Sequence, residues 1–155
     1  SSPDEDDYKK LTRLMRYLKQ TVHLKLTLEC DGSGIIWWWV DASFAVHPDM
    51  KGHTGGTMMM GRGSIYSTAS AQKLVAQSST EAELISVHDL MPQIVWTGYF
   101  LKAQGVEILD SILYQDNKSA VLLEKNGKEW TAIQYKTDTA HQHPLIFREG
   151  QSCKW

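Results

Sequence analysis

Apolar residues recur at Leu11, Leu14, Met15 and Leu18 within YKKLTRLMRYLKQ, a spacing that predicts a helix over residues 8–20. Lys9, Lys10, Arg13, Arg16 and Lys19 occupy the rest of its circumference. Two readings fit: an apolar stripe packed under a solvated basic face, or a basic face laid against a nucleic-acid backbone. HLKLTLEC (23–30) alternates as a strand does, and Asp31-Gly32-Ser33-Gly34 reads as a turn. IIWWWVDASF (35–44) is almost continuously apolar, as a central strand covered on both faces would be. GHTGGTMMM (52–60) and SIYSTASAQ (64–72), joined at Gly61-Arg62-Gly63, continue it into an antiparallel meander. The run of methionines is sheet packing in this reading, and His47 and His53 are loop residues open to solvent.

The period then changes. From 79 to 102 the apolar positions Leu84, Val87, Met91, Ile94 and Leu101, with Gly98, mark one helix face. Ser78 with Glu81, or Thr80 with Glu83, fits a capping box at its start. Pro92 is expected to kink or interrupt the helix, and Gly105 to end it. Residues 108–116 form another strand, and 118–125 a short helix stopped by Asn126-Gly127. Three antiparallel strands followed by helix, strand and helix predict an α/β fold, a mixed sheet with helices packed on it.

Composition narrows the setting. A chain of 155 residues with 42% hydrophobic content holds one domain with a real core. A net charge of -2 gives no general attraction to nucleic acid, so contact with it must come from a local basic patch. Cys30 and Cys153 have no metal-binding spacing and point to a reducing compartment. With no apolar run of about 18 residues and no signal peptide, no membrane partner and no secretion are expected. Nothing calls for a small-molecule cofactor. The opening SSPDEDDY reads as the start of a fragment of a longer polypeptide.

Three acids stand in apolar company. Asp41 ends one strand, Asp116 ends another, and the segment Ser78-Ser79-Thr80-Glu81-Ala82-Glu83-Leu84 opens the long helix. If the two strands are neighbours, Asp41, Glu83 and Asp116 meet at one edge of the sheet. Carboxylate oxygens suit Mg²⁺, a hard ion, and two such ions about 4 Å apart act on phosphodiesters without a protein nucleophile. Each acid also has a plain structural alternative. Glu83 fits a capping role, Asp116 fits the N-cap of the following helix, and Asp41 fits a turn at a strand end.

The runs WVDASFAVHPDMKGHTGG, SSTEAELISV and LYQDNKSAVLLEKNG resemble the ribonuclease H domain of copia-type LTR retrotransposon Pol polyproteins. The resemblance spans residues 8–127, with the motifs in family order. It implies a ribonuclease H-like mixed sheet and cleavage of RNA in RNA–DNA hybrids by two-metal hydrolysis. Asp41, Glu83 and Asp116 match the family's catalytic metal ligands for Mg²⁺ or Mn²⁺. Glu83 rather than Glu81 is the ligand because Ala82-Glu83-Leu84 matches the family's catalytic helix. Residues 1–30 then form a tether helix and strand after a reverse transcriptase domain of the same polyprotein, and 31–128 the ribonuclease H-like domain. The implied location is a cytoplasmic virus-like particle or the nucleus.

Beyond Gly127 the resemblance stops. Residues 129–155 show no clear period, and the family's basic segment, last strand, last helix and fourth aspartate are absent. Codons for Gln134 through Gln151, read one nucleotide later, permit S-T-K-R-T-R-H-I-N-I-R, one variable residue, then F-F-V-K-D-R. A frameshift between Gly127 and Gln134 is therefore expected, leaving an aberrant, poorly structured tail. In that case Asp138, His141 and His143 carry no role. The missing strand and helix predict an unpaired sheet edge, and the missing acid predicts an incomplete two-ion site with impaired activity. The alternative is a catalytically inactive remnant that binds nucleic acid or another partner.

Overall fold

The computed structural model describes residues 3–126 and 145–149. Its elements are α1 (Glu5–Thr21), β1 (Glu29–Cys30), β2 (Ile35–Ser43), β3 (His53–Met59), β4 (Gly61–Arg62), β5 (Tyr66–Ala71), α2 (Ser79–Ala103), β6 (Asp110–Gln115), α3 (Lys118–Asn126) and β7 (Leu145–Glu149). The main sheet runs β5-β3-β2-β6-β7, and β1 and β4 form a separate two-stranded sheet. β2, β3 and β5 are antiparallel neighbours, while β6 lies parallel to β2. This is the mixed α/β sheet expected of a ribonuclease H-like fold.

Alternation along β2 explains how the sheet is covered. Ile36, Trp38 and Val40 are buried, and they pack with Met58, Val87, Leu90, Ile94, Ile108 and Leu113 into one core cluster. On the opposite face Trp37 and Trp39 stack on Tyr114 with ring centroids 6.0 and 5.4 Å apart. Gly56 of β3 lies against α2: a Cβ there would meet Leu90 Cδ1 at 2.9 Å. Glycine permits the helix to approach the strand this closely.

Several sequence expectations need correction. α1 begins at Glu5 because Asp4 and Asp7 form a reciprocal capping box, with the Asp7 amide donating to Asp4 at 3.0 Å. Its apolar stripe is not packed: no residue of α1 is buried, and Leu11, Leu14, Met15 and Leu18 are all exposed. The strand expected over 23–30 shrinks to Glu29–Cys30, and Leu24, Leu26 and Leu28 are exposed. Only the two residues facing β4 find a hydrogen-bonding edge, and alternation without a partner does not make a strand.

Pro92 lies inside α2 without interrupting it. The buried stripe of α2 also differs from the expected face. Val87 and Ile94 belong to it, and Met91 and Leu101 pack partly buried against the same core, but Glu83 and Leu90 are buried as well and Leu84 is not.

The largest correction concerns the far edge. The last strand is present: β7 pairs in parallel with β6, from Ser111↔Leu145 to Gln115↔Glu149. Leu145-Ile146-Phe147 has strand-forming composition, and its backbone satisfies hydrogen-bonding groups that β6 would otherwise leave open. The tail is therefore not uniformly without structure. Asp138, His141, His143 and the place of a last helix lie outside the described residues.

Candidate active site

Parallel pairing of β2 with β6 ends at Trp39↔Tyr114, and Asp41 and Asp116 each lie two residues beyond that pair. The two strands thus deliver their acids to the same end of the sheet. α2 supplies the third, since Glu83 heads its buried stripe and is only 7% exposed. Asp41, Glu83 and Asp116 can each offer a carboxylate oxygen such that all three lie within 4.8 Å of one another. Asp41 and Asp116 are exposed, so the cluster opens to solvent on one side.

Local hydrogen bonds decide between capping and convergence. Ser78 is the N-cap of α2, accepting from the Glu81 amide at 3.1 Å. The Glu81 carboxylate reaches back to the Gln77 amide at 2.6 Å. Glu81 therefore does the capping work and Glu83 is released from it. At α3 the side chain of Asn117, not Asp116, accepts from the Ala120 amide, at 3.1 Å. Asp41 accepts from the amide of Ala42 at 2.9 Å. None of the three acids serves as the cap of a helix.

Electrostatics mark the same point. Burial pushes the Glu83 carboxyl up to about 7, opposed by a hydrogen bond from Gln115 and reinforced by the charges of Asp41 and Asp116. Taking a carboxylate out of water beside two others disfavours its charged form. A divalent cation would relieve that repulsion, and an all-oxygen donor set suits a hard ion. The three residues can therefore hold a metal. Glu124 of α3 is also held up at about 7, by burial first and Glu83 second. Both of its carboxylate oxygens are buried without a hydrogen-bond partner.

Two supporting residues escaped the sequence reading. Gln115 is 1% exposed and donates to Glu83 at 3.0 Å. Its place two residues after the buried Leu113 in β6 puts it on the same core face, a period-of-two signal that was available. Glu124 gave no signal beyond helical spacing. His47 and His53, expected in solvent, are joined to each other by a 2.9 Å contact between Nε2 and Nδ1.

Comparison with known proteins adds ancestry to this geometry. The Pol polyprotein of transposon TNT 1-94 from Nicotiana tabacum is 30% identical over 129 residues, 81% of this chain and 10% of the relative. Those of transposons RE2 and RE1 from Arabidopsis thaliana are each 29% identical over 126 residues, 80% of this chain and 9% of each relative. This chain is related to copia-type retrotransposon Pol polyproteins. It spans about a tenth of the length of these relatives. No family model matches the chain. The catalytic domain of human endonuclease V aligns over 72% of this chain and 48% of its own, with a TM-score of 0.33 and 16% identity. So loose a likeness has no bearing on the activity. Among the described residues no helix is long and apolar enough to cross a membrane.

Proposed function

We propose that this chain is the ribonuclease H domain of a copia-type retrotransposon polyprotein, cutting the RNA strand of RNA–DNA hybrids. The observation that carries this reading is the convergence of Asp41, Glu83 and Asp116 within 4.8 Å, from two strand ends and a helix start. The motifs around these acids and the relationship to Pol polyproteins support it. Asp41, Glu83 and Asp116 would hold Mg²⁺ or Mn²⁺, which would supply an activated water and stabilise the leaving oxygen. Asp41 and Asp116, exposed, face the incoming phosphate, while Glu83 anchors the site from the buried side. A hybrid is selected through its A-form-like shape and 2′-hydroxyls rather than its base sequence.

On this reading residues 31–128, joined in the sheet by β7, are the catalytic unit, and residues 1–30 connect it to a reverse transcriptase domain. The exposed basic residues Arg13, Arg16 and Lys19 of α1 offer a local positive surface on a chain with no net positive charge.

The test uses a labelled hybrid with Mg²⁺. Cleavage leaving a 3′-hydroxyl and a 5′-phosphate, lost in Asp41→Asn and in Asp116→Asn, is the expected result. Hybrid binding without metal-dependent cleavage would instead favour an inactive binding remnant. Cleavage untouched by Asp41→Asn would sink the assignment of the site.

A further inference from the structure

Asp116 is flanked by two amide side chains that both reach towards the N-terminal part of α2. Gln115, before it, is 1% exposed and donates to a Glu83 oxygen at 3.0 Å. The oxygen of the same amide accepts from the backbone N–H of Asn117 at 3.3 Å. A backbone N–H can only donate and a carboxylate only accepts, so these two partners fix which way the amide points. Asn117, after Asp116, donates from its side chain to Thr80 Oγ1 at 3.5 Å and accepts from the Ala120 amide. The end of β6, the start of α2 and the start of α3 are thus tied through hydrogen bonds on either side of one acid.

We infer that Gln115 is a positioning residue: its amide fixes the Glu83 carboxylate against Asp116, so that the two present oxygens to one cation. The inference rests on the metal-dependent reading of the site. A buried carboxylate with only charged neighbours would turn away from Asp41 and Asp116; a donor on its inner side holds it in place. Gln115 touches neither solvent nor, on this geometry, substrate, so its effect acts through Glu83. Partners of this kind hold ligand residues in their productive orientation, and their loss typically weakens metal affinity by about 10- to 100-fold.

The experiment titrates Mn²⁺ into the intact chain and into Gln115→Met, which keeps the length and removes both hydrogen bonds. Gln115→Asn, an amide one methylene short, guards against a folding failure of the first variant. Mn²⁺ affinity is read by electron paramagnetic resonance, and hybrid cleavage is followed against Mg²⁺ concentration. The expected result is Mn²⁺ binding weakened on the order of 10-fold or more in whichever variant folds, with cleavage recovered at raised Mg²⁺. A residue that only supports the fold would lower the melting temperature and leave the affinity of the folded protein unchanged. That outcome, with Mn²⁺ bound normally by the unaltered chain, overturns the positioning role alone. Absence of Mn²⁺ binding in the unaltered chain overturns this inference together with the proposed function.

Discussion

Glu83 carries the most consequence of any side chain described, because it is an acid at the head of a buried stripe. Its carboxyl is raised from an ordinary 4.5 to about 7, first by burial, so the folded chain keeps a proton that the unfolded chain has released. Between those values the folded state binds more protons than the unfolded one, and stability falls as pH rises. Each pH unit of displacement corresponds to about 1.4 kcal/mol. Without metal, the chain should therefore melt at a higher temperature at pH 5 than at pH 8. Glu83→Gln should flatten this slope and raise the melting temperature at pH 8, while Glu124→Gln, at a second raised carboxyl, flattens it further. A melting temperature that climbs from pH 5 to pH 8 in the metal-free protein would contradict the account. The three acids themselves were legible from their motifs. The amides on either side of Asp116 were not, because Gln115 and Asn117 meet side chains more than 30 residues away in the chain.

Elements were most legible where a period met a buried surface. β2, β3, β5, α2 and α3 lie close to their predicted places, and β2 shows why, since its alternating residues Ile36, Trp38 and Val40 are the ones buried. The N-terminal alternating segment 23–28 has the same period and does not form a strand, for want of a sheet edge beside it. The start of α2 depends on its cap. Ser78→Ala removes the acceptor for the Glu81 amide and should cost about 1 kcal/mol, measurable by urea denaturation. The contact between α2 and β3 is less forgiving. Gly56→Val brings a side chain into Leu90 and should destabilise by about 1–3 kcal/mol, with the core forced to shift. Equal urea midpoints for Gly56→Val and the unaltered chain would mean that helix and strand are less closely packed than described.

At the scale of the whole molecule, the sheet and its two packed helices hold the fold together, and α1 contributes no buried residue to it. Deleting residues 1–21 should leave the melting temperature of the remainder unchanged within experimental error. A marked drop would show that α1 is packed after all. β7 adds the opposite lesson. The segment 129–155 offered no period to read, yet five of its residues complete the parallel edge of the sheet. A strand pairs through its backbone, which every residue possesses, so an edge can recruit a short apolar run that announces nothing by itself.

The sequence by itself determined the order of elements as far as α3, the three acids and the relationship to retrotransposon polyproteins, because these rest on local periodicity and on motifs that are contiguous in the chain. Tertiary structure alone decided that β6 runs beside β2, bringing Asp41 and Asp116 to one edge, and that Glu83 faces inward while Glu81 caps. It also decided that Gln115 reaches Glu83, and that the sheet closes with β7. Convergence, burial and hydrogen bonding between distant residues are properties of the packed chain, and no local pattern encodes which of the available partners each side chain meets.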